Sequence, residues 1–573
     1  MDNGKIASLL EEMAELLEFR GENPFRIRAY RNGAKAIRDL TESVAGILGD
    51  PTRRLDTIPG IGKTLVDKAS VLVETGSLPQ LEKLRKEVPE IVLSMARIPG
   101  LGAKKAAVLH QELNLKTLDD LRRACEQDVV KVLKGFGAKT QQVILEGLEI
   151  AEAAAERIYW AKGDQLAHDI TAHMSLCDVI QRMEWAGSYR RGRETVGDLD
   201  LLVVASDREL AMDQFESFSG RSQTILRGET KMSIRVGKGF QVDLRLVEDS
   251  EFGAAMQYFT GSQAHNVHVR RIAKQKGLKV NEYGVFRIDD ESRIAGGSEQ
   301  EVYQAIGLPW IPPELREDRL EFDLATSEMP QLLELNQVLG DLHMHTTSTD
   351  GEATIREMAD AAIARGLRYI AITDHSQRVS MAMGLDAQRL REQWRAIDQI
   401  RPEYEGRLMI LKGIECDILE KGGMDLPDDC LAEADWVLAS IHYGQKQSRE
   451  QITDRMLGAI ENPHVDCIAH PTGRLINRRR PYEIDMDAVM DAVQQHGKLM
   501  ELNANPARLD LNEVHLAAAK HRGIPVAIST DAHSVLGLEV MRYGILQARR
   551  GGLTGEDVAN TLDWPAMKDR WLN

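Results

Sequence analysis

Gly187-Ser188-Tyr189-Arg190-Arg191-Gly192 leads, five residues on, into Gly197-Asp198-Leu199-Asp200-Leu201-Leu202-Val203. The second stretch reads as a strand over Leu199–Val204. Asp198 and Asp200 stand two apart, so the strand's period of two points both carboxylates to one face. Side by side they repel unless a cation lies between them. A third carboxylate, Asp243, sits inside the apolar run Phe240–Val247, and that run is joined to Met232–Val236 by the turn Gly237-Lys238-Gly239. Three oxygen ligands with room for water and phosphate suit Mg2+. Two such ions can hold the attacking and leaving oxygens of an in-line phosphoryl transfer. Ser188 and Arg191 are placed to hold the outer phosphates of a nucleotide.

Upstream, residues 1–157 read almost wholly helical, with Leu9, Met13, Leu16 and Leu17 on one helical face. Three short turns punctuate them: Gly60-Ile61-Gly62-Lys63, Gly100-Leu101-Gly102-Ala103-Lys104 and Gly135-Phe136-Gly137-Ala138-Lys139. They recur at a spacing of about 35–40 residues, which marks an internal repeat. Glycine lets a backbone approach a phosphate closely, and free amides at the start of the following helix bind the anion. A region of zero net charge can hold a phosphate group this way.

Downstream, Leu308-Pro309-Trp310-Ile311-Pro312-Pro313 interrupts regular structure and opens a linker to about Val338. Seven apolar runs then alternate with helical segments: Gly340–His345, Tyr369–His375, Leu408–Glu415, Trp436–His442, Val465–His470, Lys498–Asn503 and Pro525–His533. Alternating strands and helices predict a parallel sheet, and seven repeats predict a closed barrel. Such barrels place their chemistry at the C-terminal strand ends. There stand His343, His345, Asp350, His375, Glu415, His442, His470, Asp531 and His533, which include six of the fifteen histidines. Imidazole with carboxylate suits Zn2+, Mn2+ or Fe2+. Nine ligands exceed the needs of one ion, so a cluster of two or three is expected. His464, His496, His515 and His521 read as structural. Arg474 and Arg478-Arg479-Arg480 follow His470 and read either as a grip on a DNA backbone, through Arg474 and Arg479, or as a solvated basic loop.

Composition narrows the class. Apolar content of 43% and charged content of 28% are ordinary for a soluble globular chain. No apolar run reaches membrane-spanning length, and the N-terminus carries no cleavable signal. The five cysteines form no CxxC pair, so neither a disulfide framework nor a thiolate zinc site is expected, and the cytoplasm is the expected compartment. The net charge of −17 is unevenly spread: 0 over residues 1–157, −5 over 158–318 and −12 over 319–573. The acidity concentrates beside the candidate ligands, where divalent cations offset it. No dimer seam is evident, and a monomer is expected.

A further stretch narrows the family. Tyr258-Phe259-Thr260-Gly261-Ser262 is followed by Asn266, Arg270 and Arg271, then by Asn281-Glu282-Tyr283-Gly284. With the aspartates, this closely resembles DNA polymerase beta and the other family X polymerases over about residues 1–318. The resemblance implies that Asp198, Asp200 and Asp243 are the carboxylates of a two-Mg2+ site. It implies that Ser188 and Arg191 bind the triphosphate of a dNTP. It implies further that Tyr258 and Phe259, with Gly261, form the turn that checks the sugar, and that Asn266 and Arg270 sense the nascent base pair. Two positions depart: Gln241 stands where the family often carries arginine, and His265 replaces an aromatic residue. The glycine turns resemble helix-hairpin-helix motifs, which implies a monovalent cation at the hairpins. Lys68 matches the family lysine that forms a Schiff base with an abasic sugar; a solvated helix lysine is the plain alternative. The nine strand-end residues resemble the ligand set of the polymerase-and-histidinol-phosphatase (PHP) domain over residues 339–573, which implies metal-dependent phosphoester hydrolysis.

The expected fold is therefore multidomain α+β and α/β: a helical helix-hairpin-helix region, a nucleotidyltransferase-type palm with a thumb, and a C-terminal distorted seven-stranded (β/α) barrel. The expected divisions are a lyase-like DNA-binding domain (1–84), a fingers-like helix-hairpin-helix domain (85–157), the palm (158–248), the thumb (249–318), a linker (319–338) and the barrel (339–573). The expected activity is DNA-directed synthesis across short gaps, joined to 3′–5′ exonuclease, 3′-end processing or abasic-site cleavage. Gapped or primer–template DNA and dNTPs are the expected partners, with no membrane. A second reading, which rests on Gln241, is a structure-specific nuclease with a weak or inactive polymerase half.

Overall fold

The computed structural model describes residues 3–20, 22–39, 44–49, 53–58, 60–87, 90–96, 98, 101–145, 148, 157–237, 239–319, 321–325 and 329–572. They form two compact units, residues 1–155 with Asn477–Arg479, and residues 156–476 with 480–573.

The first unit is helical. Its single apolar core joins Met13, Leu16 and Leu17 of the helix Asn3–Phe19 to Tyr30 and Ile37 of Pro24–Asp39. Leu65 and Leu72 of Lys63–Thr75, Leu109 of Gly102–Leu113 and Leu121 of Leu118–Glu126 complete it. Leu9, on the same predicted face, is half-buried. The repeat seen in the sequence is a repeat in space. The amide of Ile61 donates to the Ile58 carbonyl (3.1 Å), Leu101 to Ile98 (3.0 Å) and Phe136 to Leu133 (3.0 Å). Each of these three apolar residues is buried. Gly60 and Gly135 turn the chain at φ +86° and +89°, a conformation open mainly to glycine. Gly100 lies outside the described residues.

The second unit opens with a two-stranded ribbon of β1 (Ile158–Tyr159) and β3 (Thr195–Val196). A five-stranded sheet follows, built from β2 (Ile180–Trp185), β4 (Asp198–Ala205), β5 (Arg221–Arg227), β6 (Lys231–Val236) and β7 (Phe240–Leu246), in the order β2-β4-β7-β6-β5. β4 and β7 run parallel, and the other pairs are antiparallel. Leu199, Leu201 and Val203 pack on one face with Ile170, Met174 and Phe215 of the covering helices. Leu202 and Val204 pack on the other with Phe252 and Met256. The carboxylates share that second face.

Next come the helices Phe252–Thr260 and Gln263–Gln275, and an antiparallel sheet of β8 (Leu278–Asn281), β9 (Gly284–Arg287) and β10 (Arg293–Ala295). Described residues of the stretch expected as a linker are packed down. Phe322, Ala325 and Leu332 join the apolar cluster of this region. The fully buried Glu321 accepts from His265 Nδ1 at 2.8 Å, while His265 Nε2 lies 2.8 Å from the Tyr303 hydroxyl.

Seven parallel strands complete the unit, neighbours in space in chain order: β11 (Gly340–Asp341), β12 (Tyr369–Ile372), β13 (Met409–Asp417), β14 (Trp436–Ser440), β15 (Cys467–Ile468), β16 (Leu499–Asn503) and β17 (Val526–Ser529). Ile370, Ile372, Val437, Ile468, Met500 and Ile528 pack outward under the helices. Tyr369, Ala371, Leu411, Trp436, Leu438, Leu499 and Ala527 form a separate cluster with Trp564 and Met567 of the terminal helix Trp564–Trp571. That alternation is the period of two of a strand covered on both faces. The gap between β11 and β17 is bridged at Met344 and Ala532. It is also clasped by Asn560, whose side chain bonds the Gly340 carbonyl (2.7 Å) and both the amide (3.0 Å) and the carbonyl (2.8 Å) of Ile528. Several strands are shorter than the apolar runs that predict them, because their polar ends leave the ladder to face the centre.

Candidate active sites

In the five-stranded sheet the register sets Asp200 beside Asp243 and Asp198 beside Gln241 on the parallel pair β4 and β7. Residues directly paired across a sheet share a face, so all three aspartates converge. Burial and the neighbouring Asp198 push the Asp200 carboxyl up to about 7. Burial and Asp243 raise Asp198 as well. Burial works the same way on Asp243, but hydrogen bonds from Lys231, Ser233 and Gln241 outweigh it and hold its carboxyl below the usual range. Lys231 Nζ lies 2.7 Å from Asp243 Oδ2, and Gln241 Nε2 donates to Oδ1 at 2.9 Å. Gly187, at φ +65°, brings its backbone against Asp200: a Cβ there would meet Oδ2 at 2.8 Å. Ser188 Oγ is buried without a hydrogen-bond partner. A crowded anionic cluster beside an unsatisfied hydroxyl fits divalent cations and a phosphate.

Tyr258 and Phe259 form the last turn of their helix, with ring centroids 5.1 Å apart in an edge contact. Asn266 Nδ2 donates to the Tyr258 carbonyl (2.7 Å), and its Oδ1 accepts from Gln257 (2.9 Å). Arg270, one turn later, is exposed and donates to the Asn266 carbonyl at 3.2 Å. Arg191 is engaged within the protein. Its Nε donates to Glu317 Oε1 (3.1 Å) and its NH1 to the Thr260 carbonyl.

At the barrel's C-terminal end all nine strand-end residues converge. The inward alternation carries them there: Tyr369 and Ala371 lead to His375, Leu411 to Glu415, Trp436 and Leu438 to His442, and Ala527 to Asp531. Glu415 stands at the centre. Its Oε2 lies 2.7 Å from His375 Nδ1, 3.5 Å from His343 Nε2 and 3.7 Å from His345 Nε2. Its Oε1 lies 2.9 Å from His470 Nε2 and 3.5 Å from His442 Nε2. Asp531 Oδ1 approaches His345 at 3.1 Å and His343 at 3.5 Å. Asp350 Oδ1 is 3.6 Å from both His375 and His533 and opens to solvent. Three groups have metal-holding spacing: His345, Asp350, His375 and His533; His343, His345 and Glu415; His375, Glu415 and His442.

The electrostatics prepare these groups. Burial, then His533 and His375, drives His345 down to about 3, and burial with Arg508 drives His470 to about 4, so both stay neutral. Burial opposes ionisation of Glu415, yet His442, His375 and His343 hold it well below the carboxylate range. His343 Nδ1 is held by Glu501 at 2.6 Å, which leaves the buried Nε2 with no hydrogen-bond partner. An oriented imidazole aiming an unpaired nitrogen at two carboxylates fits a metal ion. His470 and Asp531 adopt φ +29° and +54°, and such strain in non-glycine residues gathers at working sites.

The chain matches five families by segment: helix-hairpin-helix domain over residues 1–78, SAM-like helix-hairpin-helix tandem over 92–149, DNA polymerase beta palm over 157–238, DNA polymerase beta thumb over 255–317 and PHP domain over 341–505. It is 41% identical over 562 residues to the "DNA polymerase/3'-5' exonuclease PolX" of Bacillus subtilis, covering 98% of this chain and 97% of that one. The chain belongs to the bacterial family X DNA polymerases that carry a PHP domain. Over 233 residues it is 31% identical to a "Probable phosphatase" of a Thermoanaerobacter species (39% of this chain, 89% of the relative), and over 343 residues it is 25% identical to rat DNA polymerase lambda (55% and 56%).

Within this family X chain, four supporting groups escaped the sequence reading. Glu501 holds His343 and accepts the His470 amide at 2.6 Å. Asp417 accepts from His442 Nδ1 at 3.1 Å, and Arg508 Nε lies 3.4 Å from Asp531. Lys231 faces Asp243. Glu501 was within reach, because Leu499, Glu501 and Asn503 continue the inward alternation. Lys68 Nζ donates to Gln80 at 2.8 Å and lies 5.7 Å from the Tyr30 ring centroid. Gly62 caps Lys63–Thr75, Gly102 opens its helix at φ +62°, and Gly137 accepts from the Gln141 amide at 3.0 Å. One expectation is corrected. Arg474 is not free to grip DNA: it is buried, and it donates to the carbonyls of Arg508 (2.8 Å) and Leu509 and to Glu194 (3.2 Å). Arg479 is half-buried, with Arg478 and Arg480 exposed beside it. Among the described residues no helix is long and apolar enough to cross a membrane.

Proposed function

We propose that this protein fills short gaps in DNA by nucleotidyl transfer and trims or cleans 3′ ends, with abasic-site cleavage as a further capacity of the barrel. The observation that carries the reading is the pair of clusters in one chain: Asp200 opposite Asp243 on adjacent strands, and Glu415 among five imidazoles. In the palm, Asp198, Asp200 and Asp243 hold two Mg2+, and Ser188 and Arg191 bind the dNTP triphosphate. Tyr258, Phe259 and Gly261 face its sugar, and Asn266 and Arg270 the nascent pair. In the barrel the nine strand-end residues hold two or three Mn2+ or Zn2+. Bound divalent cations neutralise phosphate and lower the pKa of bound water. The protein's own part is to keep His345 and His470 neutral, keep Glu415 ionised, and orient His343 through Glu501.

The domain divisions given above are retained as part of the proposal. The three hairpin turns, through Gly60, Gly62, Gly100, Gly102, Gly135 and Gly137, take the DNA backbone with a monovalent cation, and Arg479 adds to that grip. Lys68 supplies abasic lyase chemistry; the test is loss of borohydride trapping to abasic DNA in Lys68→Ala. A cytoplasmic monomer is proposed. A second reading, a nuclease with a weak polymerase half, draws on Gln241, which donates to Asp243 where the resemblance favours arginine. One assay separates the two. Labelled gapped DNA is incubated with dNTPs and Mg2+ or Mn2+. Asp200→Ala is expected to lose extension and keep 3′ digestion, and His345→Ala to do the reverse. Digestion without extension by the unaltered protein selects the second reading.

A further inference from the structure

Within the second unit, the sheet that carries the aspartates meets the barrel at a buried cluster of charges. Arg550 ends the helix Met541–Arg550 and is 2% exposed. Its NH1 donates to the backbone carbonyl of Arg191 (2.7 Å) and to Glu317 Oε1 (3.2 Å), and its NH2 donates to Glu513 Oε1 (2.8 Å). Glu317 also receives Arg191 Nε on the same Oε1 and Arg193 NH1 on Oε2 at 3.4 Å. Leu546 of the same barrel helix fills the space over Gly192, where a Cβ would come within 2.5 Å of it. The turn that bears Ser188 and Arg191 is thus seated on a barrel helix by both apolar packing and charge.

Arg191 gives its Nε to Glu317 and its NH1 to the Thr260 carbonyl, so a triphosphate that takes this guanidinium competes with Glu317 for it. A buried carboxylate left without a partner is costly, so Arg191 can leave only if another cation stays. Arg193 makes a long contact from an exposed position, while Arg550 is buried and fixed at three points. We propose that Arg550 is a positioning residue for nucleotide addition: it compensates Glu317 and fixes the Arg191 carbonyl from the barrel side, which releases the Arg191 guanidinium to the incoming triphosphate. The proposal rests on the phosphate-binding role given to Arg191 above. In support, burial opposes ionisation of Glu317, yet Arg191, Arg550 and Arg193 together hold it below the usual carboxylate range.

The test uses the full-length protein, with steady-state dNTP kinetics on gapped DNA, 3′ digestion and thermal melting measured on each variant. Arg550→Met is expected to raise KM for dNTP about ten-fold, the scale of one charge-assisted hydrogen bond, with kcat and 3′ digestion little changed. Arg550→Lys is expected to recover part of the loss. Glu317→Gln removes the competing anion and is expected to lower KM, and Arg550→Met with Glu317→Gln returns it close to the unaltered value. General loosening of the interface cannot produce that reversal. Should Arg550→Met fail to fold, Glu317→Gln alone decides, and a raised KM in it overturns the proposal. So does an unchanged KM in Arg550→Met, or a double variant worse than Arg550→Met. Arg191→Ala separates the premise: if it leaves KM unmoved, the phosphate role of Arg191 falls and the proposal with it. If it raises KM while Arg550→Met is silent, the proposal alone falls.

Discussion

The two clusters of this chain solve the problem of concentrated negative charge in opposite ways. The palm sets three carboxylates on one sheet face, where burial and the neighbouring carboxylates push Asp198 and Asp200 up toward protonation. The barrel surrounds Glu415 and Asp531 with imidazoles and backs these with Glu501, Asp417 and Arg508, so both carboxylates stay far below their ordinary range. The first is a site completed by what it binds, namely cations, triphosphate and primer. The second is held in place by the fold's own contacts. A polymerase palm must change occupants at each addition, whereas a hydrolytic centre gains by standing ready.

The hardest blow to that contrast falls on the central barrel ligand. Glu415→Ala removes the one group shared by five imidazoles and is expected to cut 3′ digestion about a thousand-fold or more while extension persists. Digestion and extension rates measured on the same preparation check this. Equal loss of both would mean that the clusters are not independent.

The barrel's readiness depends on its closure. Asn560 is fully buried and satisfies the Gly340 carbonyl and both backbone groups of Ile528 across the seam. Asn560→Leu strands those groups and is expected to cost about 3 kcal/mol, since each buried unsatisfied group costs roughly 1–3 kcal/mol. Denaturant melting reports it. A variant as stable as the parent would show that the seam is held elsewhere.

Next in size is the layer behind the ligands. Glu501→Gln keeps the shape but removes the charge that orients His343, and it is expected to cost about 10–100-fold in metal affinity or digestion, as outer-shell partners do. Metal titration of the apoprotein, read by calorimetry, separates lost affinity from lost turnover.

The candidate ligands were legible in the sequence because each barrel strand announces itself by an apolar run and they stand at or near the ends of such runs. The palm aspartates were legible for the same reason, through a period of two. What stayed hidden was what lies between elements. Glu501 sits inside a strand instead of at its end. β2 and β5 are exposed edges whose burial patterns offer no apolar run, so no strand was read there. Arg474 looked like a surface cation because local sequence does not reveal that Arg508, Leu509 and Glu194 surround it. The hairpin repeat was legible as spacing. That all three turns close with the same amide-to-carbonyl bond depends on backbone geometry that spacing alone does not give.

The smallest expected effect concerns acid. Glu513, on the barrel side of the palm–barrel seat, accepts from Arg550, and although burial opposes its ionisation, Arg550 lowers its carboxyl from 4.5 to about 2. A carboxyl depressed in the folded state adds stability that is fully present above its unfolded value and is lost as pH falls through its folded value. The window is therefore pH 4.5 down to about 2. Melting temperature of the unaltered protein should fall across this window, and Glu513→Gln should melt lower at neutral pH yet show a shallower fall. A Glu513→Gln curve parallel to the parent's between pH 4.5 and 2 would mean that the seat draws its acid sensitivity from Glu317, whose carboxyl is held down by Arg191 and by the same Arg550.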